Sequence, residues 1–245
     1  MKQLWMLSFR VLAVAAASCL LAPEIQAQEG KTKPAAAKPA DPFAKWEKEI
    51  AGIEAADAKN PPPKGEVLFI GSSTIRMWKS LAADYPDHKV INHGFGGSEI
   101  ADATHFADRL IFPVEPRVIF LRSGGNDIHN GKSPQQVLED YKQFVSTVHA
   151  KLPQTQIVYI GLAPTIARIK EVDKGNELMA LIKTFTATNP KLKFIDTADT
   201  TPGPDGKPRA DLFIADGLHF NDAGYKILAE RVRPFMPPAG RKAEK

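Results

Sequence analysis

The segment 216–219, with the sequence DGLH, carries an acid and a base at a spacing that suits proton transfer. A carboxylate three residues before an imidazole can hold one ring nitrogen and leave the other free to act as a general base. Asp216 and His219 are therefore candidates for the acid and base of a serine hydrolase. The same spacing is also typical of an ordinary surface turn, so this pair needs support from elsewhere in the chain.

Ser73 is the candidate nucleophile that such a pair would activate. It follows a short apolar run and precedes a helical pattern at 74–80. Backbone N–H groups and the helix dipole favour negative charge at such a helix start. The ordinary role of a serine in this position is to cap the helix, so Ser73 is ambiguous when it is taken alone.

Two further positions could stabilise an oxyanion. Gly97, which follows Gly96, can bring a backbone N–H close to a reacting carbonyl, or it can belong to a tight turn. Asn126 can donate a side-chain hydrogen bond to an oxyanion, or it can satisfy its own loop. Neither residue indicates a function without the others.

Alternating strand and helix patterns must position these residues. Short apolar runs, typical of strands that are buried on both faces, lie at 67–70, 90–91, 117–121, 156–160 and 192–195. Amphipathic helical patterns lie at 98–110, 134–152, 173–188 and 222–233. This alternation predicts an α/β fold, a three-layer α/β/α sandwich with a five-stranded parallel sheet. Because sites in such sheets gather at the carboxyl ends of the strands, the candidate residues should meet at one rim.

In their order along the chain these segments resemble the sequence blocks of the SGNH hydrolases, also called the GDSL family of esterases and lipases. The matching blocks are 69–75 (FIGSSTI), 92–97 (NHGFGG), 124–127 (GGND) and 216–219 (DGLH). The resemblance extends over about residues 66–235 and implies the flavodoxin-like fold of that family. One position departs from the family pattern: Ser72 stands where an Asp usually precedes the nucleophile. That Asp is not a triad member, so activity is expected to survive.

The resemblance implies a role for each candidate residue. Ser73 corresponds to the nucleophile, and Asp216 and His219 correspond to its acid and base. The oxyanion hole would consist of the N–H groups of Ser73 and Gly97 and the side-chain amide of Asn126. No metal or other cofactor is implied.

The N-terminus has the pattern of an export signal. Lys2 and Arg10 form a basic region, and the apolar run at 11–22 is shorter than the roughly 20 residues that span a bilayer. Cleavage is expected after Ala27, which predicts a periplasmic or extracellular protein. An uncleaved anchor and a lipoprotein modified at Cys19 are the alternatives.

The chain after the signal divides into three predicted parts. Residues 28–64 comprise a linker rich in Lys, Ala and Pro and an amphipathic helix at 43–53, which either packs on the domain or binds a partner. Residues 65–238 form the hydrolase domain, and residues 239–245 form a basic tail. The whole division rests on composition and periodicity.

Composition excludes several classes of protein. With 43% hydrophobic and 24% charged residues the chain is globular, and its net charge of +4 is scattered, which argues against nucleic-acid binding. A single cysteine excludes a disulfide framework, and the histidines lack metal-binding spacing. Glu99 stands where a dinucleotide-binding loop would need its third glycine.

Three functions remain compatible with the sequence. The first is an exported esterase that removes short acyl groups, such as acetyl esters on a small molecule or polysaccharide. After signal cleavage this protein would not be stably inserted in a membrane. The second is a lysophospholipase or other lipid esterase, and the third is a non-catalytic glycan-binding module. Arg122 and Arg168 could bind an anionic substrate group or form surface salt bridges. His93 and His129 are expected in rim loops, where they either contact substrate or, as is usual for loop histidines, are solvated. The sequence leaves the oligomeric state open.

Overall fold

The structure of the chain, a computed structural model, describes residues 41–239. Its central sheet consists of β1 (Val67–Gly71), β2 (Val90–Gly94), β3 (Val118–Arg122), β4 (Gln156–Ile160) and β5 (Leu192–Ile195). The strands are all parallel and lie in the order β2-β1-β3-β4-β5. This sheet confirms the predicted fold class.

Helices cover both faces of the sheet. They are α1 (Glu47–Lys59), α2 (Ser73–Arg76), α3 (Leu81–Asp84), α4 (Ile100–His105), α5 (Ala107–Leu110), α6 (Gly125–His129), α7 (Pro134–Lys151), α8 (Val172–Thr186) and α9 (Asp222–Val232). One hydrophobic core joins the sheet to α1, α4, α5, α7 and α8, and a second core on the opposite face joins it to α2, α3 and α9. The result is the predicted three-layer sandwich.

The central strands supply apolar side chains to both cores. In β1, Leu68 and Ile70 belong to the core with α7 and α8, whereas Val67 and Phe69 belong to the core with α9. Successive side chains of a strand point to opposite faces, so a strand covered on both sides must be apolar at every position. This is why the strands are visible in the sequence as continuous apolar runs.

The structure differs most from the predicted bounds in three elements. The helix expected at 98–110 is divided into α4 and α5, because the backbone of the buried Phe106 leaves the helical region with φ −89° and ψ 13°. The helix expected at 74–80 is only the single turn α2. Strand β2 extends to Gly94, since the polar Asn92 is accommodated by a hydrogen bond of 2.7 Å from its Nδ2 to the carbonyl of Ile75.

Helix α1 packs against the sheet domain through the stripe that its sequence predicted. Ile50 is fully buried, and the Trp46 ring meets the Phe95 ring edge to face at 5.6 Å between centroids. On the outer side, Arg109 of α5 pairs with Glu47 at 2.7 Å and with Glu54 at 2.6 Å. The helix therefore contributes both apolar and charged contacts to the domain.

Several predictions lie outside the described residues: the export signal at 1–27, the linker at 28–40 and the tail at 240–245. Within residues 41–239, no helix combines the length and the apolar composition that a membrane-spanning helix needs.

Candidate active site

The turn from β1 to α2 presents Ser73 at the first position of a helix. Gly71 ends β1 with φ +137°, and a Cβ at this position would overlap the backbone of Arg122 at the end of β3. Only glycine allows the chain to turn this close to the neighbouring strand. The carbonyl of Ser72 then accepts hydrogen bonds from the N–H groups of Ile75 at 2.9 Å and Arg76 at 3.1 Å, so backbone contacts shape this turn.

His219 links Ser73 to Asp216 through a chain of two hydrogen bonds. The Nε2 atom of His219 lies 2.8 Å from Ser73 Oγ, although the two residues are 146 positions apart in the sequence. The other ring nitrogen, Nδ1, lies 2.6 Å from Asp216 Oδ2. This is the geometry of a nucleophile, a general base and a carboxylate that orients the base.

Asp216 remains ionised at neutral pH. Partial desolvation raises the pKa of its carboxyl group, but hydrogen bonds from the His219 ring and from the N–H groups of His219 and Leu218 outweigh this and lower the pKa to about 2. The two backbone bonds measure 2.8 and 2.9 Å and both reach Oδ1. A carboxylate in this state accepts the Nδ1–H of the imidazole and leaves Nε2 free to accept the proton of Ser73.

A small hairpin holds the acid and the base. Phe213 and Phe220 pair across it as an isolated antiparallel bridge, and their rings stack with centroids 5.4 Å apart. Inside this pair, the N–H of Ile214 donates to the carbonyl of His219 at 2.9 Å. The buried aromatic pair therefore closes the loop that carries both catalytic candidates.

The structure brings Gly97 and Asn126 together. A Cβ placed on Gly97 would lie 3.7 Å from Asn126 Nδ2, so the amide of Asn126 faces the backbone at Gly97. Asn126 Nδ2 donates one hydrogen bond of 3.0 Å to the carbonyl of Ser98. The second hydrogen of this NH₂ group can be donated to another acceptor.

Helix α1 supports the loop that contains Gly97. The N–H of Gly96 donates to Glu49 Oε1 at 3.0 Å. Gly96 itself has φ +35°, and the space that a Cβ would need is filled by the Trp46 ring. Sequence analysis missed these contacts: the helical periodicity identified the apolar stripe, but no local pattern linked Glu49 to a loop 47 residues away.

The candidate nucleophile, the candidate base and the side-chain oxyanion donor line one cleft. Its empty volume is about 800 Å³, open solvent at the mouth included. Ser73, His219 and Asn126 contribute to the lining, together with Arg122 and Arg168. The wall after β4 is formed by residues 162–165.

The two arginines of the cleft differ from the surface salt bridges that were one expectation. Among the described residues, neither Arg122 nor Arg168 forms an ion pair with a carboxylate, unlike Arg109 or Arg231. Arg122 is buried and donates to the carbonyl of Gly161, and desolvation lowers its pKa to about 10. Arg168 instead donates from Nη2 to Asn126 Oδ1 at 2.8 Å.

The expectation that His93 and His129 are solvated rim residues is wrong for His93. His93 is buried because β2 continues through it to Gly94, so it belongs to the sheet and not to a loop. Its Nδ1 lies 2.7 Å from the carbonyl of Leu110, and its Nε2 lies 3.0 Å from Asp57 of α1. His129 is exposed and pairs with Glu171 at 2.7 Å. In the part of the chain that the structure describes, no group of three His, Cys, Asp or Glu side chains is arranged to hold a metal ion.

Comparison with known proteins agrees with this geometry. Residues 71–227 match the GDSL-like Lipase/Acylhydrolase family. The chain is 28% identical over 194 residues to the human platelet-activating factor acetylhydrolase IB subunit alpha1, covering 74% of this chain and 78% of that protein.

Solved structures share the fold. A GDSL-like lipase from Bacteroides thetaiotaomicron superposes with a TM-score of 0.62 at 14% identity and covers 79% of this chain and 96% of its own. A mutant of an acetyl-xylooligosaccharide esterase from Geobacillus gives a TM-score of 0.55 at 18% identity, with coverages of 74% and 99%. The family match extends over more than half of the chain, and the fold agrees with it. The chain therefore belongs to the GDSL-like lipase/acylhydrolase family of carboxylic ester hydrolases.

Proposed function

We propose that this protein is an exported serine esterase that cleaves short acyl groups, such as acetyl esters on carbohydrate, through an acyl-enzyme. The observation that carries the catalytic part is the hydrogen-bonded chain from Ser73 Oγ through His219 to Asp216. Export rests on the basic, apolar and small-residue pattern at 2–27.

In the first half of the reaction, Ser73 Oγ attacks the ester carbonyl while its proton passes to His219 Nε2. Asp216 holds the ring through Nδ1 and stabilises the imidazolium that forms. The N–H groups of Ser73 and Gly97 and the Nδ2 group of Asn126 bind the oxyanion of the tetrahedral intermediate. His219 then gives its proton to the departing alkoxide, and the acyl group remains on Ser73.

In the second half, water replaces the alcohol. It attacks the acyl carbonyl as its proton passes to His219 Nε2, and the same three donors bind the second oxyanion. When this intermediate collapses, the C–O bond to Ser73 breaks and His219 returns the proton to Ser73 Oγ. The carboxylic acid leaves and the enzyme is restored.

The preference for short acyl groups has two supports. The wall at 162–165 (LAPT) lines the same cleft as the nucleophile and is built from small and medium side chains. Two proteins that the chain resembles, one by sequence and one by fold, are named for acetyl-ester substrates.

A specific surface feature favours the lipid-esterase alternative. Among the described residues, the exposed large hydrophobic side chains are Ile166, Ile169 and Ile214, with exposures of 42%, 50% and 41%. Ile166 lies against Gly217, in the hairpin that also carries Ile214. This apolar group beside the catalytic hairpin could contact a long acyl chain.

The test is hydrolysis of p-nitrophenyl acetate, butyrate and octanoate by the wild type and by Ser73→Ala. We expect Ser73→Ala to lose roughly 10⁴-fold or more in kcat, because the hydroxyl that His219 activates is removed. Ser146→Ala, an exposed serine on α7, is the matched control and should retain wild-type activity. Equal activity of wild type and Ser73→Ala would contradict the mechanism.

The same series separates the two substrate classes. Highest kcat/KM on acetate supports a short-acyl esterase. Highest kcat/KM on octanoate, with a selective loss of that activity in Ile166→Ser/Ile169→Ser, would instead identify a lipid esterase.

A further inference from the structure

Among residues 41–239, the contact between Arg168 and Asn126 is the one that joins a cationic side chain of the cleft to an oxyanion-hole candidate. Arg168 lies in the loop after β4, and its Nη2 donates to Asn126 Oδ1 at 2.8 Å, across 42 residues of sequence. On the other side of the amide, Asn126 Nδ2 donates to the carbonyl of Ser98 at 3.0 Å. Both ends of the Asn126 amide are therefore held by partners of opposite kind.

These partners determine which way the amide points. A guanidinium can only donate hydrogen bonds and a carbonyl can only accept them. If the amide of Asn126 turned by 180°, its NH₂ group would face the donors of Arg168 and its oxygen would face the oxygen of Ser98. Both contacts would be repulsive, so Arg168 excludes the orientation in which Asn126 presents oxygen to the reacting carbonyl.

The charge of Arg168 also makes the Nδ2–H group of Asn126 a stronger hydrogen-bond donor. Hydrogen bonds in a chain polarise one another, and a cation on the amide oxygen makes the N–H hydrogens more positive. Arg168 is half-buried, and among the described residues it has no carboxylate in ion-pair contact. Glu171 is the acidic residue whose charge acts on Arg168, but it pairs with His129, and the Arg168 guanidinium contacts the Asn126 amide.

We propose that Arg168 is a positioning residue of the oxyanion hole, which orients and polarises the Asn126 amide so that Nδ2–H faces the developing negative charge. This inference rests on the proposed serine-esterase function. The alternative is that Arg168 binds an anionic group of the substrate directly.

A double-mutant cycle distinguishes these roles. We expect Arg168→Met to lower kcat on p-nitrophenyl acetate about tenfold with little change in KM, the size expected for a lost charged hydrogen bond. Arg168→Lys should recover part of this loss, because lysine supplies one charged donor. Asn126→Ala alone should lose roughly 10²- to 10³-fold. In the Asn126→Ala background, Arg168→Met should add less than about a twofold loss, since its target is already absent.

The controls separate failure of the inference from failure of the function. Arg231→Met, on the surface of α9, should keep wild-type kcat, and thermal unfolding checks that each variant is folded. If wild type shows Ser73-dependent hydrolysis but Arg168→Met keeps full kcat, or loses the same factor with and without Asn126, the positioning role is wrong. A loss confined to KM for mono-p-nitrophenyl succinate, an anionic ester, would identify Arg168 as a substrate-binding residue. Absence of any Ser73-dependent activity would instead overturn the proposed function.

Discussion

Asp216 and His219 approach Ser73 from a single hairpin, whereas Gly97 and Asn126 come from two segments that distant parts of the chain hold in place. We call the hairpin pair the acid–base side, and Gly97 and Asn126 with their supports the oxyanion side. The side-chain hydrogen bonds within the hairpin pair span two or three residues. Those of the oxyanion side span 28, 42 and 47 residues.

The two sides also differ in burial. The side chains of Asp216 and His219 are 43% and 19% exposed. The oxyanion side instead rests on buried supports: Ser98, whose carbonyl accepts from Asn126, and Asp127, whose Oδ1 accepts from the N–H of Ile100, are both fully buried. An exposed local pair can be altered without disturbing the core, while a buried long-range network also contributes to folding. Changes on the acid–base side should therefore affect catalysis alone, and changes on the oxyanion side should affect stability or the geometry of the donors.

The largest expected effect is on the acid–base side. Asp216→Asn should lower kcat/KM by roughly 10³- to 10⁴-fold, because a neutral amide no longer holds His219 in the productive tautomer. The melting temperature should change little, since the side chain is partly exposed and the oxygen of Asn can still accept the two backbone hydrogen bonds from Leu218 and His219. Ester hydrolysis and thermal unfolding measure the two quantities, with Asp87→Asn, an exposed aspartate, as the control. A large loss of stability in Asp216→Asn would contradict the contrast between the two sides.

The second largest expected effect is a dependence of the free energy of unfolding on pH, caused by Asp127 on the oxyanion side. Burial raises the pKa of Asp127 to about 6, although Lys132 acts to lower it. Between about pH 4 and 6, Asp127 is therefore protonated in the native state but ionised in the unfolded chain. As pH rises through this range, the free energy of unfolding falls by up to about 3 kcal/mol because of this one group.

Asp127→Asn removes that titration. Urea unfolding at pH 4, 5, 6 and 7 should show the wild type becoming less stable relative to Asp127→Asn as pH increases. Asp87→Asn, at an exposed aspartate, is the control for an Asp-to-Asn change at the surface. A difference between wild type and Asp127→Asn that does not vary with pH would show that Asp127 titrates alike in the folded and unfolded states.

The smallest effect concerns the support from α1. Glu49→Ala should lower kcat about tenfold, because Gly96 loses the acceptor that holds the oxyanion loop. Glu49→Gln should lose only about threefold, since its amide oxygen can still accept from Gly96. Glu47→Ala and Glu47→Gln, on the same helix but paired with Arg109, are the matched controls and should keep wild-type kcat. Equal losses at both positions would mean that α1 acts only through general stability.

Much of the architecture could be predicted because it is governed by short-range patterns. The apolar runs around Phe69 and Phe120 predicted buried parallel strands, and the strand ends indicated where Ser73 and Asn126 should meet. Boundaries were less accurate where a tertiary contact overrides the local pattern. At Phe106 the backbone leaves the helical region although the apolar periodicity continues on both sides, and at Asn92 a hydrogen bond to Ile75 accommodates a polar residue in a strand.

The sequence by itself determined the strand–helix alternation, the order of the candidate residues and the acid–base spacing at 216–219. Each of these depends on neighbours within a few positions. Only the tertiary structure decided that Arg168 contacts Asn126, that Glu49 contacts Gly96 and that His93 is buried. These contacts join segments tens of residues apart, and their partners are selected by packing of the whole domain, so no local pattern could identify them.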